Sequence, residues 1–282
     1  MRAPCRRGVT LVELLVSIVL LLIVVSIGAI VARRTMAIQA RMSVRDARAS
    51  AMSDALNTLA RHAGSAEPGL ADIRRARDTV LDLVHGIGVT TVCRVARDTM
   101  VITSDADSLP WSASLPRSVT TDDQVRVWRD DERDWLERSI LSAGSASGTC
   151  GDSSRSWPGR GAQRLVLSSA IDGVQAGAPV RVLQRARWSL VRGGDGAWAL
   201  SMSTWDASRS AFQVPQPLLA PLAAPSAPGG AGFTVVAIDA RGAVLPESNL
   251  SATRSLIAVL RAPRHQIYGN VVDSVRINVG PH

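Results

Sequence analysis

The stretch "CRRGVTLVELLVSIVLLLIVV", Cys5 to Val25, decides how the rest of the chain is read. From Leu14 to Ala32, 19 residues pass without a charge, close to the ~20 that a helix needs to cross a bilayer. One carboxylate, Glu13, stands at the head of this run. A charge inside such a segment costs about 2.5–3.5 kcal/mol by insertion scales, so its presence predicts a use. Arg2, Arg6 and Arg7 precede the run and hold the N-terminus in the cytoplasm by the positive-inside rule, although Arg33 and Arg34 beyond it reduce the asymmetry. The bulk of the chain is then expected outside. No A-x-A site follows the run, as a cleaved secretory signal requires. Cys5 has no apolar segment ahead of it, which excludes a lipoprotein anchor there.

The residues "GVTLVELL", Gly8 to Leu15, resemble the class III signal of type IV prepilins and type II secretion pseudopilins. That signal is a short basic leader ending in Gly, a hydrophobic residue, Glu at the fifth mature position, and an apolar helix. The resemblance implies cleavage between Gly8 and Val9 by a prepilin peptidase and N-methylation of Val9. Val9 departs from the Phe most usual there. It also implies that Glu13 pairs with the N-terminal amine of a neighbouring subunit during assembly. The physics agrees: a carboxylate in hydrocarbon is driven towards a cation, and a neighbour's Val9 ammonium lies at the same depth.

Beyond the membrane run, residues 33–62 contain no Pro or Gly and are rich in Ala, Met, Leu and Arg, all strong helix formers. Ala49, Met52, Leu56 and Leu59 follow three-four spacing and predict one buried stripe. A single helix from about Thr10 to Arg61 is expected, its first half in lipid and its second half packed on a globular domain, with "GSAEPG" (Gly64–Gly69) ending it. The remainder reads as strands. In "PVRVLQRARWSLV" the residues Val180, Val182, Ala186, Trp188 and Leu190 alternate with arginines, and "RGGDG" predicts a hairpin into "WALSM". Further strands are expected at Val89–Val95, Met100–Thr103, Gln124–Trp128, Arg164–Leu167, Phe233–Ile238, Leu256–Leu260 and Val275–Val279. Ser142–Gly161 and Pro215–Gly232 read as exposed loops.

The expected fold is thus α+β and pilin-like, a long N-terminal helix followed by an antiparallel β-rich domain. Its parts are a cleaved leader (1–8), a transmembrane and polymerisation helix (9–32), an amphipathic continuation (33–62) and an extracytoplasmic domain (63–282). The order "PQPLLAPL", "GFTVVAIDARGAVL", "LIAVLRA" resembles the C-terminal half of J-type minor pseudopilins, with Asp239–Gly242 as an Asp-x-x-Gly turn. The resemblances imply a minor subunit of a type II secretion pseudopilus or a type IV pilus. Its partners would be other pilin-like subunits, the prepilin peptidase, the inner-membrane assembly platform and membrane lipid. The alternative is a single-pass anchored extracytoplasmic β-domain with a binding or enzymatic role unrelated to pili.

All 32 basic residues are arginine, and the formal charge is +8. Beyond residue 40 the arginines alternate with acids and aromatics are few, so a solvated mixed-charge surface is expected and no nucleic-acid partner. His62, His85, His265 and His282 show no metal-ligand spacing, and there is no nucleophile elbow, P-loop or dinucleotide fingerprint. Neither an enzyme nor a bound cofactor or metal is therefore expected. Asp105 and Asp107 in "SDADS" have the oxygen-rich look of a calcium loop without a complete ligand set, and a solvated acidic turn is expected. Cys5 leaves with the leader. Cys93 and Cys150 remain as an even pair outside the cytoplasm, either bridged or as two separate thiols, one buried as a small hydrophobe.

Overall fold

A computed structural model describes residues 11–103, 115–146, 162–264 and 271–280. One helix, α1 (Leu11–Gly64), runs for 54 residues, about 81 Å at 1.5 Å per residue. It stops where the Gly- and Pro-bearing segment begins, and a short 3-10 turn at Pro68–Leu70 follows. Among the described residues, thirteen strands come after it. They are β1 (Ile73–Arg77), β2 (Val80–Ala96), β3 (Thr99–Thr103), β4 (Asp123–Arg129), β5 (Asp134–Ser145), β6 (Ala162–Leu167) and β7 (Pro179–Arg192), then β8 (Trp198–Asp206), β9 (Ala211–Phe212), β10 (Gln216–Leu222), β11 (Phe233–Ile238), β12 (Ser255–Arg261) and β13 (Val272–Asn278). The architecture is α+β, with a long apolar N-terminal helix leading into antiparallel sheets, as the sequence predicts.

The larger sheet runs β1-β2-β3-β6-β5-β4-β7-β8-β10, and β7 pairs with β2 as well. That extra pairing closes β2-β3-β6-β5-β4-β7 into a six-stranded antiparallel ring. Its filling is one side of each alternating strand: Val92, Met100, Ile102, Val125, Val127, Ile140, Leu165, Leu167, Val180 and Val182 are all buried in one cluster. Inward and outward residues alternate as closure requires. The pairing of β2 with β7 slips between Gly86 and Gly88, leaving Ile87 as an extra residue. A bulge of this kind increases local twist and lets long strands curl.

Trp188 and Leu190, farther along the same face of β7, belong to a second core. There Leu81 and Leu83 of β2, Met52, Leu56, Leu59 and Ala63 of α1, and Phe233, Val235, Leu256, Leu260 and Ile277 of the separate sheet β11-β12-β13 pack together. The helix therefore rests on the small sheet and the near ends of β2 and β7, while their far ends build the ring. Fully burying a Leu or Met contributes about 1.5–3 kcal/mol relative to leaving it exposed.

Three expectations need correction. The packed stretch of α1 begins at Met52, and Ala49 is exposed. Residues 33–49 carry arginines at angular positions that are apolar farther on, so they cannot enter the core. The segment Pro215–Gly232 is not all loop, because β10 occupies its beginning and pairs with β8. Its prolines are tolerated because β10 is an edge strand. Ser142–Gly161 likewise begins inside β5, and 147–161 lie outside the described residues. The "RGGDG" hairpin joins β7 to β8, closed by Gly193 N–H donating to Ala197 O at 2.7 Å, with Gly196 at φ +82°. At Asp239–Gly242, Asp239 Oδ1 accepts from the N–H groups of Arg241 and Ala243, each at 2.8 Å, and Gly242 takes φ +84°.

Candidate functional site

Every residue of α1 from Leu11 to Ala47 is exposed. A helix apolar on all sides needs lipid or other helices around it. Among the described residues α1 is the one helix long and apolar enough to cross a membrane, and none of its most apolar window is buried. Glu13 lies in its first turn, and the Ser17 hydroxyl donates to the Glu13 backbone carbonyl at 2.8 Å. Gly8 and Val9 lie outside the described residues.

The other end of the helix is fastened to the strands by groups far apart in sequence. His62 of α1 stacks on His85 of β2, with centroids 4.1 Å apart and planes 4° from parallel. Trp188 of β7 meets His62 edge-on at 5.6 Å. Burial, then the neighbouring His62, push the His85 pKa down to about 4, and burial followed by Arg61 lowers that of His62. Both rings are therefore neutral near pH 7, as stacking in an apolar site requires. One residue past the helix, the Ser65 hydroxyl accepts from Gly86 N–H at 2.9 Å and donates to His62 O at 2.8 Å.

The connection out of α1 is clamped by arginines of the ring. Arg126 of β4 is 3% exposed and forms a bidentate pair with the fully buried Asp72. It also bonds Glu137 of β5, at 2.8 Å through Nε and 2.7 Å through Nη2. Burial opposes its charge, but the bonds to Asp72 and Glu137 outweigh it and raise the Arg126 pKa. Arg181 of β7 pairs with Glu67 and donates to Ser65 O at 3.2 Å. A second buried carboxylate, Asp82 of β2, is held by Arg185 and Arg187, whose guanidinium groups stack over Phe212. Arg126 and Glu137 are cross-strand partners 11 residues apart on β4 and β5, but Arg126 and Asp72 are 54 residues apart and Arg185 and Asp82 103, and each arginine reads alone as a solvated strand position.

Cys93, on β2, is disulfide-bonded. Its expected partner Cys150 lies outside the described residues, as do Asp105, Asp107, His265 and His282. Among the described residues no three of His, Cys, Asp and Glu are grouped to hold a metal ion.

Residues 4–31 match the prokaryotic N-terminal methylation motif. No curated protein matches the chain. The matched segment contains Gly8, Val9, Glu13 and most of the uncharged run, so the chain carries a type IV prepilin-like class III signal.

Proposed function

We propose that the chain is a minor pilin-like subunit of a type II secretion pseudopilus or a type IV pilus, assembled through α1. The observation that carries this reading is the methylation motif at residues 4–31 on a helix that stays wholly exposed through Ala47 and then docks on an antiparallel sheet. The unburied apolar run suits two successive environments, lipid first and then the helices of neighbouring subunits. Glu13 acts as the selector in the second, because its attraction to a neighbour's Val9 ammonium strengthens as the dielectric falls. The subunit is held in the inner membrane with its N-terminus cytoplasmic until the assembly platform lifts it out. The Asp239–Gly242 turn between β11 and β12 supports a J-type minor pseudopilin. Cys150 is the proposed partner of Cys93.

Sequencing the mature N-terminus tests the reading. The expected product begins at methylated Val9, and Gly8→Leu accumulates uncut protein because bulk at that position blocks entry to the peptidase. A mature protein beginning elsewhere overturns it.

A further inference from the structure

The buried face of α1 continues below the globular domain as a line of arginines. Eleven residues make three helical turns to within about 20°, and at that spacing Arg34 and Arg45 line up with Leu56, Arg41 with Met52 and Ala63, and Arg48 with Leu59. Met52, Leu56 and Leu59 thus each have an arginine three turns nearer the membrane on the same side, and Ala63 has one six turns nearer. Arg48 marks the junction, donating to Pro221 O of β10 at 3.3 Å. Arg34, Arg41 and Arg45 are exposed and make no ion pair or hydrogen bond among the described residues. The one acid between residues 33 and 53 is Asp46, about 100° round the helix from Arg45. The stripe is uncompensated, and it continues the side of α1 that the domain covers from Met52 onward.

We infer that this stripe is a docking surface for an acidic face of a neighbouring filament subunit, seated beneath the globular domain and alongside α1. The inference rests on the proposed pilin-like function. Its reach along the helix decides between protein and lipid. From Arg34 to Arg48 the stripe climbs about 21 Å at 1.5 Å per residue, whereas headgroups extend only about 5–8 Å beyond the hydrocarbon. Headgroups meet Arg33 and Arg34 and stop about one helical turn short of Arg41. A protein surface standing beside the helix meets every arginine. Ile38 and Met42, 52% and 60% exposed, flank the stripe and supply apolar contact for the same partner.

The test uses the full chain in cells that build the filament. Arg41→Glu with Arg45→Glu is expected to leave cleavage and membrane retention unchanged. Its share in sheared filaments should fall roughly tenfold or more, because like charges set face to face are strongly disfavoured. Arg41→Lys with Arg45→Lys keeps the charge and is expected to enter near the wild-type level. Both positions lie outside the packed core, so an unaltered unfolding midpoint confirms that the fold is intact. Wild-type entry of the glutamate variant, or equal loss in the lysine variant, overturns the inference. So does a loss confined to Arg33→Glu with Arg34→Glu, which would assign the stripe to headgroups. Failure of the pilin-like reading looks different: the wild-type chain itself would be absent from filaments.

Discussion

Acid should loosen the grip of the strands on the end of α1, and His85 sets the size of the effect. In the folded protein its pKa is pushed from 6.5 to about 4 by burial and by the stacked His62. The bond to the Gly86 carbonyl and, after it, Asp123 oppose this fall, and Arg117 adds to it. The unfolded chain binds a proton at its ordinary pKa near 6.5, so between about pH 6.5 and pH 4 it binds more protons than the folded state. Stability then falls as pH falls, by roughly 1.4 kcal/mol per pH step. Above about pH 6.5 the contribution of His85 is complete. By pH 4.5 about 2.5 kcal/mol is lost, and His62 adds a loss of the same sign. Urea unfolding of the full chain in mild detergent, followed by tryptophan fluorescence between about pH 7.5 and 4.5, measures this. His85→Phe keeps a ring against His62 but cannot take a proton, so its stability should fall by about 2.5 kcal/mol less than wild type over that range. Parallel pH profiles for the two proteins would refute the reasoning.

Arg126→Met leaves Asp72 fully buried without its cation, and a loss of about 3–5 kcal/mol in unfolding free energy is expected; adding Asp72→Asn should recover part of it. Glu13→Ala should still be cut and should stay in the membrane, because removing a charge eases residence in lipid, yet enter sheared filaments poorly; Glu13→Gln should behave alike, and wild-type entry of the Ala variant would make Glu13 a tolerated boundary residue. Thiol labelling of the denatured, unreduced mature chain should find neither Cys93 nor Cys150 reactive, since a bridge between them leaves no free thiol; two labelled thiols per chain exclude that pairing.

The helix was legible because its signals are local: an uncharged run, then thirty residues free of Pro and Gly, then a Gly- and Pro-bearing stop. Its depth of packing was not. Three-four spacing includes Ala49 as readily as Met52, but the charges below Met52 decide where burial begins. The strand β7 was legible from the alternation of Val, Ala, Trp and Leu with arginine. The first half of β2 was obscured by Asp82 and His85 among its apolar residues and by its Gly-Ile-Gly step, which reads as a break and proves to be a bulge. The strand β10 was hidden by Pro217 and Pro221, which count against a central strand and are harmless at an edge. Closure of the ring depends on β2 pairing with β7 across about a hundred residues, for which no short window carries a signal. Among site residues, Glu13 was visible because a charge in an apolar run is locally anomalous. Arg126, Asp72, His62 and His85 were not, because each is ordinary in its own neighbourhood.

The shared strands have an evolutionary consequence. Thr91 of β2 and Pro179 of β7 are cross-strand partners, so the polypeptide between them leaves and returns at adjacent points. That excursion contains β3 to β6. It can lengthen, shorten or change without moving Leu81, Leu83 or Trp188, so long as Arg126 of β4 and Glu137 of β5 remain to hold the buried Asp72. On the proposed pilin-like reading, the half that would join a filament is tied to the far half through that ion-pair cluster, so a lineage that keeps it can retool the remaining strands while leaving the seat of α1 unchanged.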